Sequence, residues 1–244
     1  LADTAAFSPA RIVLVATSAV RDAGNGAEFR ARVRAATGHE IRVLTGDEEA
    51  GLIGRGLTAD PALRDLRDFY VFDLGGGSRE CLAFSDRRIE QARSLQLGCV
   101  RLTERFVTDP AAPLSDVTRV AVAAHARAVV ASSGFQFSLP AGATAVGTGG
   151  PVTTVRSIFG ASVCQSFYAT SPVVQVAELR KLLATLGAMP LARRKHIAGL
   201  PPERADVFPV ALATLLAVAE IGGFTALRNS LFNLRYGLAD EALT

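Results

Sequence analysis

Tyr70-Val71-Phe72-Asp73-Leu74-Gly75-Gly76-Gly77-Ser78-Arg79-Glu80-Cys81 decides how this chain is read, because an apolar strand ends in an acid and runs directly into a glycine turn. Glycines lack a Cβ, so they allow positive φ and a close approach. Successive N–H groups can then converge on an anion as a nest, and Ser78 adds a hydroxyl donor. Asp73 before the turn and Glu80 after it are oxygen ligands of the kind Mg²⁺ prefers when it also bridges to phosphates. The plain alternative is a glycine-rich hairpin with a charged edge.

Three further segments bear on that choice. Ala145-Val146-Gly147-Thr148-Gly149-Gly150-Pro151-Val152-Thr153-Thr154 repeats the pattern of a short apolar run meeting a glycine turn. Pro151 fits the first position of a following helix, and Thr148 offers a donor to the same anion. Upstream, Arg11 to Ala23 reads as a β-branched strand and then a polar turn, in which Thr17, Ser18 and Arg21 suit phosphate. Arginine brings a permanent charge and a planar fork of donors. The fourth segment, Ile41 to Leu52, ends a strand at Gly46, with Asp47 as N-cap and Glu48 and Glu49 in the first helical turn. Acids there favour the helix dipole by about 0.3–1 kcal/mol. A carboxylate beside phosphate loops is also what orients and deprotonates an attacking water.

These segments, together with Leu97-Gly98-Cys99-Val100-Arg101-Leu102, Pro202-Glu203-Arg204-Ala205-Asp206 and Asn233-Leu234-Arg235-Tyr236-Gly237-Leu238, occur in the order and spacing of one family. The chain resembles the exopolyphosphatase/guanosine pentaphosphate phosphohydrolase (Ppx/GppA) family over essentially its whole length. The resemblance implies an α/β, actin-like ATPase (ribonuclease H-like) two-lobed fold, with residues 1–67 the remainder of the N-terminal lobe and 68–244 the C-terminal lobe. It implies hydrolysis of a terminal phosphoanhydride, with inorganic polyphosphate or guanosine pentaphosphate as substrate and Mg²⁺ as cofactor. By the same resemblance Glu49 is the catalytic base, and Asp73 and Glu80 are metal ligands. Gly75, Gly76, Gly77 and Ser78 form one phosphate loop, and Gly147, Thr148, Gly149 and Gly150 the other. Thr17, Arg21 and Arg204 face the polyanion.

Three departures from the family pattern stand out. Arg79 occupies a position where the family carries threonine, and Pro151 another. The family's opening hairpin, with its Asp-x-Gly-Ser-Asn-Ser loop, is missing. The one methionine is Met189, and the first residues lack the basic and apolar regions of a signal peptide. The sequence is therefore read as N-terminally incomplete, with the first lobe lacking its opening hairpins. A polyphosphate- or nucleotide-binding sensor without turnover is the alternative function, and an ATP-dependent kinase on the same fold stands third.

Composition narrows the class. The 244 residues are 49% hydrophobic and 20% charged, with net charge +3 and pI near 9.0, enough to bury a substantial core. The mild basicity agrees with a polyanionic ligand, while the lack of basic runs and aromatic stacking motifs argues against nucleic acid. Cys81, Cys99 and Cys164 are odd in number and widely spaced, which points to a reducing cytoplasm rather than to disulfides or zinc. The apolar stretch Val207 to Ala219 is shorter than the roughly 20 residues of a membrane span. A homodimer is among the assemblies such folds form.

The spacing predicts strands at 11–17, 41–45, 69–74, 80–85, 88–97, 143–147 and near 225–231. It predicts helices at 26–36, 48–57, 100–106, 115–132, 152–159, 173–186, 190–197 and 203–219, and a closing helix. The lobe boundary is placed between Leu57 and Asp68.

Overall fold

The computed structural model describes residues 2–243 and has two compact units, Leu1–Gly46 and Asp47–Thr244. The first holds α1 (Ala2–Ala5), β1 (Leu14–Ala16), α2 (Ser18–Arg21), α3 (Gly26–Thr37) and β2 (Ile41–Val43). β1 and β2 pair in parallel, Leu14 opposite Ile41 and Ala16 opposite Val43. The expected strand at 11–17 is confined to the three residues that have partners.

The second unit contains the rest: α4 (Gly46–Thr58), β3 (Phe69–Leu74), β4 (Arg79–Ser85), β5 (Arg88–Leu95), α5 (Cys99–Phe106), α6 (Asp116–Ser132), β6 (Thr144–Thr148), α7 (Gly150–Ser162), β7 (Val173–Gln175), α8 (Val176–Gly187), α9 (Leu191–Arg194), α10 (Phe208–Ile221), β8 (Ala226–Asn229) and α11 (Leu234–Leu243). Its six strands run in the order β5-β4-β3-β6-β8-β7. β3, β6 and β8 are parallel, while β4, β5 and β7 are antiparallel to their neighbours. β3 is buried at every residue, as expected of an apolar strand covered on both faces.

Alternation along β3 divides the core in two. Tyr70, Phe72 and Leu74 join the larger cluster with α5, α6, α8 and α10. Phe69 and Val71 face the other way, with Leu82 and Phe84 of β4 and Ile53 and Leu57 of α4. Phe69 and Phe84 are direct cross-strand partners, stacked with ring centroids 4.5 Å apart. Such a pair adds about 0.5–1.5 kcal/mol beyond the area it buries and fixes the β3–β4 register. α4 therefore packs on the sheet of the second unit, and the compact units divide at Gly46, ahead of the 57–68 segment where the sequence places the lobe boundary.

Two elements differ from expectation. Residues 173–175 form an edge strand on β8, because the β-branched pair Val173 and Val174 finds a ladder there, and the helix starts at Val176. The helix expected from 203 begins at Phe208. Pro202–Arg204 is a single 3₁₀ turn, and Pro209 sits in the first turn of α10, where a missing N–H is harmless. Among the described residues no helix is long and apolar enough to cross a membrane.

Candidate active site

The register set by the core lines up polar residues across the sheet. Asp73 on β3 lies directly opposite Glu80 on β4 and Thr148 on β6. Opposed residues share a face, and this one is the face that carries Val71 and α4. Ser94 on β5 continues the row opposite Glu80, and its Oγ donates to Glu80 Oε1 at 2.8 Å. Glu49, in the first turn of α4, is buried beside these carboxylates, and its charge acts on both. A helix that packs its apolar residues at 53 and 57 against the sheet brings residue 49, one turn further back, over the strand ends.

Burial dominates the electrostatics. Desolvation, then the charge of Glu49, pushes Asp73 up to about 7, against a smaller opposing pull from Arg79. Glu80 is pushed up to about 8 by desolvation and by the charges of Glu49 and Asp73, while hydrogen bonds to Ser78 and Ser94 act the other way. Burial and neighbouring charge thus hold both Asp73 and Glu80 toward their protonated forms.

The first glycine turn is held from behind by α5. Gly75 O accepts from Cys99 N at 3.0 Å, Gly76 O from Val100 N and Arg101 N at 2.9 and 3.1 Å, and Gly77 O from Gly98 N at 3.3 Å. Arg101 Nε adds a 2.8 Å bond to Gly77 O. With its carbonyls turned toward the helix, the turn aims its amides elsewhere: the N–H groups of Gly76 and Gly77 have no protein acceptor among the described residues. A Cβ on Gly98 would overlap the Gly76–Gly77 backbone, so a glycine there is what lets α5 come close enough. Positive φ, allowed for in the sequence reading, is not used at Gly75, Gly76 or Gly77.

The second turn is built differently. Gly149 has φ +85°, and a Cβ on it would overlap Asp73 Oδ1, so this backbone and that carboxylate are in contact. A Cβ on Gly150 would overlap Arg204 Nη1, which places the guanidinium at the N-terminus of α7, where unsatisfied amides gather. Pro151 falls in the first turn of α7, as its chemistry requires. The Thr148 hydroxyl differs from its expected use as an anion donor: it donates to Phe232 O at 3.2 Å, because β6 ends beside the segment leading into α11.

The second unit therefore brings together Glu49, Asp73, Ser78, Glu80, Gly149, Gly150 and Arg204, while Gly147 lies within β6 and its carbonyl accepts from Ser230 N at 3.0 Å. Thr17 and Arg21 belong to the first unit. There Thr17 O receives the Val20 and Arg21 amides, and Arg21 Nη1 donates to Leu44 O at 2.8 Å. Sequence alone gives Ser94, Gly98, Arg101 and the buried Arg79 no site role. Gly98 and Arg101 sit inside a quoted motif, whereas only the strand register reveals Ser94. Among the described residues no group of three or more His, Cys, Asp or Glu is placed to hold a metal ion unaided.

Two glycine turns, an acid row and an arginine thus lie together at the ends of β3 and β6. The family model for the Ppx/GppA phosphatase family matches residues 4–244, and the chain belongs to that family. Its structure is similar to that of an exopolyphosphatase from Cytophaga hutchinsonii, with TM-score 0.85 and 21% identity over 99% of this chain and 78% of that one. It is also similar to the Ppx/GppA family member of Aquifex aeolicus, with TM-score 0.76 and 26% identity over 99% and 77%. The fold is thus the α/β fold of that family.

Proposed function

We propose that the chain hydrolyses the terminal phosphoanhydride bond of inorganic polyphosphate and releases orthophosphate. The contact of Gly149 with Asp73, which ties the second turn to the acid row beside the first, is the observation that carries this reading. Amides of the first turn and of the α7 N-terminus, with Arg204, hold the terminal phosphoryl oxygens. Glu49 orients a water against phosphorus and takes its proton, so that a new P–O bond forms as the bridging P–O bond breaks.

Asp73 and Glu80 fit Mg²⁺ by the chemistry of their donors. Both are oxygen ligands pushed up by burial and then by neighbouring charge, and Mg²⁺ completes its shell with water and substrate phosphates rather than with an all-protein cage. When bound there, the ion would offset phosphate charge. Ser94 and Ser78 orient Glu80, and Gly149 fixes Asp73 from the other side.

Orthophosphate release from long-chain polyphosphate, followed with and without Mg²⁺, tests the reading. Mg²⁺-dependent release is expected. Tight polyphosphate binding with no release would favour a sensor instead, and preferential release from guanosine pentaphosphate would reassign the substrate.

A further inference from the structure

Arg79 closes the first glycine turn, pairing with Leu74 across β3 and β4. Alternation sends its side chain away from the Glu80 face into the larger core, where it is 0% exposed. One atom of the guanidinium is matched: Nη1 donates to Thr214 O on α10 at 2.9 Å. Nε and Nη2 are buried with no partner among the described residues.

A desolvated cation with two unmatched donors lowers the stability of the protein that carries it, and a well-packed apolar side chain of similar length would not. The carboxylates that act on the guanidinium are Glu80 and Asp73, the two that flank the turn. Packing therefore gives no reason for an arginine here, but its position directly behind the anion-binding hairpin does. Arginine keeps its proton even when burial lowers its pKa, so the charge is permanent. In a low-dielectric interior it acts over several ångströms with little screening.

We infer that Arg79 is a buried positioning charge that strengthens the hold of the first glycine turn on a phosphoanion without touching it. The inference rests on the proposed phosphate-binding function of that turn. It also predicts an unusual pairing of effects, because removing the side chain should improve stability while weakening anion binding.

The test uses Arg79→Met and Arg79→Lys in the full chain, with orthophosphate as the probe in calorimetric titrations and with melting curves taken in its absence. Arg79→Met should melt higher than wild type and bind orthophosphate about tenfold more weakly. That deficit should persist in about 0.5 M salt, where exposed charges are screened. Arg79→Lys should restore most of the affinity. If wild type and Arg79→Met bind equally, Arg79 has no such role. An Arg79→Met variant that melts lower or fails to fold would show the guanidinium to be a structural prop, which also overturns the inference. If wild type itself neither binds orthophosphate nor releases it from polyphosphate, the proposed function falls first and the inference with it.

Discussion

At residues 75–78 the backbone keeps ordinary φ values and is shaped from outside, its carbonyls drawn to the amides of α5. At residues 147–150 the shape is intrinsic: Gly149 sits at φ +85°, jammed against Asp73, and Gly150 abuts Arg204. A turn shaped by its neighbour tolerates a side chain on its open side but fails when the neighbour moves. A turn shaped by its own dihedrals fails when its own glycine is replaced.

Among the glycine replacements the largest effect should therefore come from Gly149→Ala. Strain at positive φ costs on the order of 1–3 kcal/mol, and displacement of Asp73 should lower orthophosphate release about a hundredfold. In Gly75→Ala the added carbon meets nothing nearer than Ser78 O at 3.3 Å, and activity should stay within a fewfold of wild type. Equal losses in the two variants, measured by melting and initial rates, would erase the contrast.

Gly98→Ala strikes the first turn through its support. The new Cβ would push α5 off the Gly76–Gly77 backbone, for a loss of about 1–3 kcal/mol and a raised KM. Unchanged KM would mean that the α5 bonds do not shape the anion site.

The acids beside the first turn give a pH signature. Asp73 and Glu80 rise from 3.8 and 4.5 to about 7 and about 8 in the folded chain, so across that range the folded state holds protons that the unfolded chain has released. Their contribution to stability is complete below the lower pair of values and lost as pH climbs through the upper pair. In EDTA the melting temperature should fall as pH rises toward about 8, by the equivalent of a few kcal/mol. Asp73→Asn should flatten that slope, and a slope that survives both Asp73→Asn and Glu80→Gln would place its cause elsewhere. The smallest effect is expected of Ser94→Ala. It removes one bond to Glu80, worth about 1 kcal/mol, and should show mainly as weaker Mg²⁺ dependence of the rate.

Sequence carried the strand–turn–helix frame well because the apolar run at 69–74, the glycines and Pro151 each have one dominant local use. It did not carry Ser94, and the reason is specific. β4 and β5 shift register between Ala83 and Phe84, so counting inward from the Asp86-Arg87 turn would set Arg93, not Ser94, opposite Glu80. The burial of Arg79 was equally hidden, since a charged residue after a glycine turn reads as solvated until β3 and β4 are seen to be covered on both faces. Likewise, the redirected Thr148 hydroxyl depends on where the segment before α11 passes, a contact 84 residues distant in sequence.

The proposed function makes Glu49 the group that would ready water for a phosphate gripped by two unlike turns. The direct measurement is orthophosphate release by Glu49→Gln in a single turnover, alongside its affinity for polyphosphate. Release reduced by about 10²–10⁴-fold with affinity nearly intact is the predicted result, and turnover at the wild-type rate would contradict the account.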